Sequence, residues 1–595
     1  IQDTAPFAPS TALQHRVLEA PAVSLLHSDL VVQELEALGY TGAFGVPGGA
    51  IATFFNSLSR SSKIETILAQ HEAGAAYMAM GRSLASGGRE VGLCFSTSGP
   101  GITNLITGVA VAHEERVPLL VITGNVSTDL IGKGAAHDVH PSAIDVCAML
   151  RPVTARSVTV MNSDDVVSTL RELHELALRT RRPVHLNLPI NVVSKVVPAG
   201  AQPVREPLAA DLSPAPAPDW QVIDGAIEAL LSAKRPLLLA GHGIMASGLK
   251  PLFRELVKRV GLPVLVTSHG KGTLPDGHEG YMGLFGLAAP SESTQFLEAY
   301  EPDAILFIGT GLDEEASAGW SPLLGKPATK IHVDWDSSRI NKIYPVTHAV
   351  HADIRDFSSR MLSRWSRSPD EGARRARLDA VESLRKPASK EDIALNPVGP
   401  VHPASLMHAL DMFLPKNAAV FCDIGNSMAW SIRHLTMQDE QDYFLPLGFA
   451  SMGSAVCAAI GAKSAFPGRP VVALIGDCAM LMQGAEMFSA QQAGVGVKVF
   501  VLNDAGHGMV DHGHRIVKLT DVNVRFSRHV DFQAWGEALG VKSLRINTLS
   551  EFFAVNWDEV LNSPEATIID VRIDATAVPP ILSRTRVLGI TEQTA

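Results

Sequence analysis

Residues 471–504, VVALIGDCAMLMQGAEMFSAQQAGVGVKVFVLND, contain two apolar, β-branched runs separated by a helical stretch over 480–493. Gly476-Asp477 follows the first run, and Asn503-Asp504 follows the second. This order predicts a strand, a helix and a second strand that lies parallel to the first. Because such crossovers are right-handed, both strand ends lie at the same edge of one sheet. Ligands of open α/β sheets bind at that edge.

The same alternation of short apolar runs and helical stretches extends along the whole chain. Continuous apolar strands between helices are typical of parallel sheets that are covered on both faces. Segment 196–218, rich in proline and alanine, is predicted to be a linker, and the charged segment 364–400 a helix followed by a linker. We therefore predict an α/β protein of three doubly wound parallel-sheet domains, over 24–195, 219–363 and 400–575. The predicted strands are TGAFGVPG, VGLCFST, PLLVITG and PVHLNLP in the first domain, RPLLLAGHG, LPVLVTS, DAILFIG and KIHVDWD in the second, and AAVFCDIG, PVVALIGD, VKVFVLND and TIIDVRI in the third.

The composition excludes several classes of protein. A net charge of −11 over 595 residues argues against a nucleic-acid partner. No run of 18 apolar residues is present, so we expect no membrane span. Five scattered cysteines without a CxxC pair predict reduced thiols in the cytoplasm. The first 25 residues do not have the layout of a secretory signal and are predicted to be a loose arm.

Asp477 and Asp504 are candidate metal ligands. Carboxylates that meet at one sheet edge are hard oxygen donors, which suits Mg²⁺ carrying a diphosphate. Gly476 and Gly506 allow close backbone approach, and N–H groups at the start of the following helix can bind phosphate oxygens. Either aspartate alone is more often a turn or helix-cap residue. Their pairing after two buried strands favours a site.

The two strand ends together resemble a known family signature. Gly476-Asp477-Cys478 and Asn503-Asp504, with 27 residues from the first aspartate to the second, resemble the GDG…NN signature of thiamine-diphosphate (ThDP) dependent enzymes. The surrounding segment 448–510 resembles the acetolactate (acetohydroxyacid) synthase branch of that family. Cys478 replaces the middle glycine, and Asp504 replaces an asparagine, which adds negative charge beside the diphosphate. The resemblance covers about residues 25–575 and implies that the backbone carbonyl of Gly506 is the third protein ligand of Mg²⁺.

The resemblance also implies the other contacts to ThDP. Met452 matches the apolar residue that wedges beneath the cofactor and bends it, although a methionine in such a position is more often core filling. Backbone groups of Ala450 and Met452 are expected to contact the pyrimidine ring. The remaining expected contacts are Asn426, Ser427, Cys478, Ala479 and Met509.

A predicted strand in the segment IETILA (64–69) leads into His71-Glu72. Glu72 begins a helical stretch rich in small residues, which predicts that this helix packs closely against another element. A lone glutamate at a helix start is usually only a partner of the helix dipole. Segments GVPGGA (45–50) and STSGPGITNLITG (96–108), however, resemble the pyrimidine-binding domain of ThDP enzymes. There, a buried glutamate hydrogen-bonds the aminopyrimidine and favours the tautomer that removes the thiazolium proton. Glu72 is our candidate for that role.

The resemblance implies decarboxylation of a pyruvate-like 2-oxo acid and carboligation of the acyl carbanion to a second carbonyl compound. A simple 2-oxo acid decarboxylase or lyase is the alternative, and a non-catalytic ThDP-fold binding protein is a third. In this family Glu72 and the metal site of one active centre come from different subunits. A homodimer or homotetramer is therefore expected.

Flavin is disfavoured by the segment 312–316, LDEEA, which matches an Arg-Phe-Asp-Asp-Arg segment in the flavin-containing synthases but contains no arginine. The Gly-rich turns of the middle domain form no GxGxxG motif, so we expect a vestigial domain. The clustered histidines of the third domain have no partner ligands at fixed spacing, which argues against a zinc site. These histidines are His507, His512 and His514.

Two positions are expected to shape the substrate pocket. His137 lies where the synthases carry a glutamine that faces the substrate, so it is a candidate to orient or protonate the acceptor carbonyl. Gly513 lies where they carry a tryptophan that narrows the acceptor pocket. Loss of an indole leaves a large void, and the polar neighbours Asp511, His512 and His514 oppose its collapse, so we expect an acceptor bulkier than that of acetolactate synthase. Met509 and His512 are expected to line the same pocket. Alternatively, Gly513 begins a surface loop.

Overall fold

A computed structural model describes residues 24–198, 218–367, 369–384, 399–516, 518 and 523–581. Nearly all of the predicted N-terminal arm and most of the predicted linker 196–218 lie outside these residues. In the described part of the chain, none of the helices combines the length and the apolar character needed to cross a bilayer.

The first domain contains a parallel sheet of six strands: β1 (Gly42–Val46), β2 (Glu65–Leu68), β3 (Gly92–Ser96), β4 (Leu119–Asn125), β5 (Arg156–Thr159) and β6 (Val184–Pro189). Their order is β2-β1-β3-β4-β6-β5. The helices of this domain are α1 (His27–Ala37), α2 (Ala52–Leu58), α3 (Glu72–Ala85), α4 (Pro100–Glu114), α5 (Val146–Leu150), α6 (Val166–Thr180) and α7 (Ile190–Val193).

The middle domain contains a second parallel sheet, formed by β7 (Pro236–Ala240), β8 (Val264–Thr267), β9 (Tyr281–Phe285), β10 (Ala304–Ile308), β11 (Thr329–Asp334) and β12 (His348–His351). Their order is β12-β11-β10-β7-β8-β9. The helices are α8 (Trp220–Leu231), α9 (Gly243–Ala246), α10 (Lys250–Val260), α11 (Ser291–Tyr300), α12 (Ile354–Arg367) and α13 (Glu371–Glu382). Helix α13 packs on this domain, since Arg377 donates to the carbonyl of Val260 at 2.8 Å and Val381 is buried.

The third domain contains the sheet of β13 (Ala419–Cys422), β14 (Asp442–Phe444), β15 (Val471–Gly476), β16 (Lys498–Asn503), β17 (Lys542–Ile546) and β18 (Thr567–Arg572). Their order is β14-β13-β15-β16-β18-β17. The helices are α14 (Pro403–Phe413), α15 (Asn426–His434), α16 (Ser454–Ala465), α17 (Asp477–Gln483), α18 (Glu486–Gln492), α19 (Gly508–Ile516), α20 (Phe532–Ala538), α21 (Leu549–Ala554) and α22 (Trp557–Asn562). Three parallel six-stranded sheets with helices confirm the predicted fold class.

The prediction of one continuous helix over 480–493 is wrong, because the chain forms two helices, α17 and α18, on either side of Gly484. A Cβ on Gly484 would lie 2.4 Å from the carbonyl oxygen of Met480 and 2.8 Å from the ring of Trp535. Glycine is therefore the residue that fits where the path of the helix changes.

Helix α3 packs closely against α16, as its small residues predict. A Cβ on Gly81 would lie 1.9 Å from the carbonyl oxygen of Ala458, and one on Gly461 would lie 1.8 Å from that of Met78. No side chain fits at either contact, so two glycines bring the helix backbones together. This packing fixes the first domain against the third and positions the start of α3, where Glu72 lies.

Candidate active site

Asp477 and Asp504 lie at the carboxyl ends of adjacent parallel strands. Strand β15 pairs with β16, with Gly476 opposite Leu502, so the two aspartates follow neighbouring strand ends. Asp477 is 1% exposed, and its carboxylate accepts hydrogen bonds from the backbone N–H groups of Cys478 (2.7 Å) and Gly506 (3.1 Å). The structure thus brings together the three residues that the sequence assigns to the metal.

The electrostatics of this edge favour a cation. Burial, together with the negative charge of Asp504, raises the pKa of Asp477 to about 7. Burial also raises the pKa of Asp504. Two carboxylates that repel each other, one buried and one largely buried, are the arrangement that a divalent cation stabilises. The residues present therefore fit Mg²⁺.

Arg525 is a residue of the site that the sequence analysis missed. Its guanidinium donates to the carboxylate of Asp504 at 3.0 Å, to the carbonyl of the same residue at 2.8 Å, and to Asp511 at 2.6 and 2.9 Å. The guanidinium of Arg525, placed between the carboxylates of Asp504 and Asp511, offsets the negative charge that an aspartate adds at position 504. No local sequence signal identifies this arginine, which lies 21 residues after its partner.

Asn426 and His512 carry polar atoms that a ligand at this sheet edge can engage. Asn426 begins α15 at the end of β13, the strand next to β15, and its side-chain amide lies 3.0 Å from Nδ1 of His512. Among the described residues, Oδ1 of Asn426 and Nε2 of His512 are buried without hydrogen-bond partners. Such orphaned atoms are costly unless a ligand or water satisfies them. The Ser427 hydroxyl instead donates to the backbone carbonyl of Asp423 at 3.1 Å.

Asp423 was also missed, although it follows a buried strand as Asp477 does. Its carboxylate accepts from the N–H groups of Gly453 (2.9 Å) and Ala455 (2.8 Å), and burial raises its pKa to about 7. It thereby holds the loop of Ala450 and Met452. Ala450 has a φ of 55°, in the left-handed region, and Met452 packs against apolar clusters on both sides of the sheet.

Glu72 is the first residue of α3 and is 8% exposed. The side-chain amide of Asn104 donates to its carboxylate at 2.9 Å. A Cβ on Gly101 would lie 3.3 Å from Oε1 of Glu72, so the glycine leaves space above the carboxylate. Asn104 and Gly101 both belong to the segment 96–108, which the sequence placed in the same site.

Glu486, the first residue of α18, is a second buried carboxylate near the start of α3, and no signal in the sequence identified it. It accepts from the backbone N–H groups of Gln70 and His71 at 2.9–3.0 Å and from the hydroxyl of Ser489 at 2.9 Å. Burial raises the pKa of Glu486 to about 7, and the charge of Glu72 adds to the shift. Glu486 thus joins the third domain to the turn that presents Glu72.

The predicted pocket residues lie on two separate elements. His137 is exposed in the loop after β4 and has a φ of 63°, with its Cβ 3.3 Å from the point where Gly99 would carry one. Met509 and Gly513 lie on α19, as does His512. Gly513 is within this helix, so the alternative that it begins a surface loop is wrong. Among the described residues, and apart from its own helix backbone and chain neighbours, no atom lies within 4 Å of the position that a Cβ on Gly513 would occupy.

A cavity of about 410 Å³ lies at the carboxyl edge of the middle-domain sheet. Asp313, Glu314 and Glu315 of the segment 312–316 line it. Although arginines from other segments also reach the cavity, its lining has eight carboxylates against four arginine and lysine side chains. This surplus of negative charge is unfavourable for the pyrophosphate of a flavin.

We therefore expect the purified protein to contain no flavin and to be active without it. The check is the absorption spectrum of freshly purified protein, with activity measured before and after added FAD. A stoichiometric flavin band, or activity that depends on FAD, would contradict this expectation.

The sequence matches three protein-family models in succession. The descriptions are thiamine pyrophosphate enzyme, N-terminal TPP binding domain, for residues 27–149, its central domain for 223–361, and its C-terminal TPP binding domain for 423–571. Thiamine pyrophosphate is another name for ThDP. The matches follow the order in which the three sheets occur along the chain.

Curated relatives match over nearly the full length. The acetolactate synthase isozyme 1 large subunit of Escherichia coli K12 is 28% identical, over 94% of this chain and 97% of its own. The acetolactate synthase large subunit of Lactococcus lactis is 29% identical, over 92% of each chain. A probable acetolactate synthase large subunit of Methanococcus aeolicus is 27% identical, over 95% of this chain and 96% of its own.

Proposed function

The chain belongs to the thiamine pyrophosphate enzymes and is acetolactate synthase-like, and from this premise we propose that it decarboxylates a pyruvate-like 2-oxo acid and joins the acyl unit to a second carbonyl compound. The observation that carries the proposal is the meeting of Asp477, Asp504 and the Gly506 backbone at one sheet edge, beside orphaned polar atoms. This arrangement suits Mg²⁺ and a diphosphate.

We propose that Asp477, Asp504 and the carbonyl of Gly506 hold Mg²⁺, with Asn426 and the first residues of α17 on the diphosphate. When bound, ThDP supplies a nucleophilic thiazolium carbon and accepts the electron pair released with CO₂. Glu72 holds a proton on the far nitrogen of the aminopyrimidine, and Asn104 orients its carboxylate. Burial of Glu72 keeps water away from this hydrogen bond, which strengthens it.

The acceptor is proposed to be larger than that of acetolactate synthase. Space around Gly513 and the polar face of His512 beside it support this reading. An open position next to a buried, polar side chain suits an aryl, long-chain or otherwise elaborated carbonyl compound. His137 is proposed to orient or protonate the acceptor carbonyl.

Replacing Gly513 by tryptophan is expected to abolish turnover with bulky acceptors and to spare that with small ones, because the indole fills the open position. The measurement is kcat/KM for both acceptor classes in the wild type and the variant. Gly513→Ala is the matched control and should retain both activities. Equal losses for small and bulky acceptors would show that the position does not line the acceptor pocket.

Active sites are proposed to lie between subunits of a homodimer or homotetramer. Helix α17, which begins with Asp477, exposes Leu481 (48%) and Met482 (52%), and the strand that leads to Glu72 exposes Leu68 (45%). Exposed apolar side chains beside a functional site are typical of an interface. Their positions beside both halves of the site support its assembly from two chains.

Subunit mixing tests this assembly. Heterodimers of Glu72→Gln and Asp477→Ala chains, isolated with two different tags, are expected to show roughly half of wild-type activity, because one of two symmetric sites is intact. Each homodimeric variant should be inactive. If both residues serve the same site from one chain, every site in the heterodimer is damaged and no activity returns.

Product analysis tests the proposed reaction. Pyruvate with an added aldehyde or 2-oxo acid acceptor should yield a carboligation product and CO₂ in equal amounts. An aldehyde as the sole product, with or without acceptor, would make the protein a simple decarboxylase. No CO₂ release from any 2-oxo acid would leave a binding role.

We also propose a cytoplasmic location, supported by five free cysteines, four of them buried.

A further inference from the structure

Glu115, His242 and His269 meet where all three domains touch. Glu115 directly follows α4 of the first domain, His242 follows β7, and His269 follows β8 of the middle domain. One carboxylate oxygen of Glu115 lies 2.8 Å from Nε2 of His269 and 3.7 Å from Nε2 of His242. Its other oxygen accepts from the backbone N–H of Gly448, at 2.9 Å, in the third domain.

His242 has no hydrogen bond that explains its burial. The residue is 7% exposed, and among the described residues neither ring nitrogen has a hydrogen-bond partner. A buried imidazole whose two ring nitrogens lack partners can offer one of them to a metal ion.

The surroundings of this cluster attract cations. Glu115, His242 and His269 line the cavity of about 410 Å³, whose wall carries twice as many carboxylates as arginine and lysine side chains. In the described part of the chain, these three residues are the group of His, Cys, Asp and Glu side chains whose ligand atoms all lie within 4.8 Å of one another.

We propose that Glu115, His242 and His269 bind a divalent transition-metal ion of the Zn²⁺ class. Two imidazoles and one carboxylate form a ligand set that this class of ion favours over Mg²⁺ or Ca²⁺. Four-coordinate Zn²⁺, with its ligands at about 2.0–2.2 Å, places neighbouring ligand atoms about 3.4 Å apart. The separations of 2.8 and 3.7 Å from the Glu115 oxygen lie on either side of that value. The fourth position faces the cavity.

Metal binding requires one ring to turn. The rings of His242 and His269 stack with centroids 4.3 Å apart and planes 5° from parallel, so their lone pairs do not point at a common centre. Both histidines line the cavity, into which an imidazole would turn. Once bound, the ion links the first domain to the middle domain, and through Glu115 to Gly448, two residues before Ala450.

Co²⁺ is the probe, because four-coordinate Co²⁺ absorbs visible light far more strongly than octahedral Co²⁺ in an all-oxygen site. Tag-free protein is stripped with a chelator, saturated with Mg²⁺ and ThDP, and titrated with Co²⁺. We expect an intense band that saturates at one equivalent and disappears when Zn²⁺ is added. Zn²⁺ should also raise Tm, since an ion that binds the folded state stabilises it.

Variants of the three ligands decide the assignment. His242→Phe preserves the ring stack and cannot bind metal, so it should abolish the band, as should His269→Ala. Glu115→Gln should weaken Co²⁺ binding by more than about 100-fold, beyond the cost of losing an outer-shell partner. His348→Ala, in the same domain and away from the cavity, and Asp477→Ala should retain the band. No band in the wild type, or an undiminished band in His242→Phe, would overturn the proposal.

Discussion

Replacing Glu72 by glutamine is expected to slow proton–deuterium exchange at the thiazolium carbon of ThDP by roughly two to four decades. That loss corresponds to about 3–5 kcal/mol of transition-state stabilisation. The amide of glutamine is neutral and cannot hold the proton on the aminopyrimidine as a carboxyl group does. ThDP should still bind, because we propose that the third domain holds its diphosphate. Quenched-flow NMR of the exchange and calorimetric titration of ThDP are the measurements.

Two further variants sharpen this experiment. Glu65→Gln changes an exposed glutamate on β2, just before Glu72, and should exchange at the wild-type rate. Asn104→Ala removes the hydrogen bond that orients Glu72 and should give an intermediate rate. Wild-type exchange in Glu72→Gln would show that another group activates the cofactor.

Replacing Asp477 or Asp504 by alanine is expected to abolish Mg²⁺-dependent binding of ThDP and to leave the fold intact. Each variant removes one of two carboxylates from the shared sheet edge, and a hard cation with too few oxygen ligands does not stay bound. Calorimetric titration of ThDP at fixed Mg²⁺ measures the loss, and far-UV circular dichroism checks the fold.

Asp504→Asn separates the loss of an oxygen ligand from the loss of a negative charge. It preserves an oxygen ligand and removes the extra negative charge, so ThDP binding should be retained, whereas Asp504→Ala loses it. Asp558→Ala, an exposed carboxylate of the same domain, should behave as the wild type. Unchanged affinity for ThDP in both Asp477→Ala and Asp504→Ala would show that these residues do not bind the metal ion.

The sequence predicted the centre of each sheet and missed most of the edges. The twelve predicted runs correspond to the four central strands of each of the three sheets. A central strand is buried on both faces, so its residues form a continuous apolar run that can be recognised without a partner. Edge strands β5, β12 and β17 are mostly exposed or half-buried and carry no such run. Of the edge strands, β2 was anticipated, because it leads into Glu72.

For the residues of the candidate site, too, local sequence patterns identify some and miss others. Asp477, Asp504 and Glu72 could be proposed from the sequence because each follows a predicted strand and lies in a segment with its own motif. Arg525, Glu486 and the cluster of Glu115, His242 and His269 were not found, because their partners are distant in sequence. Glu486 meets the backbone of Gln70 across 416 residues, and Glu115 meets His269 across 154. A sequence read locally determines which strands are buried and which residues end them, since periodicity and burial act over a few residues. Which charges then lie side by side is decided by the packing of whole domains, and the tertiary structure alone reveals it.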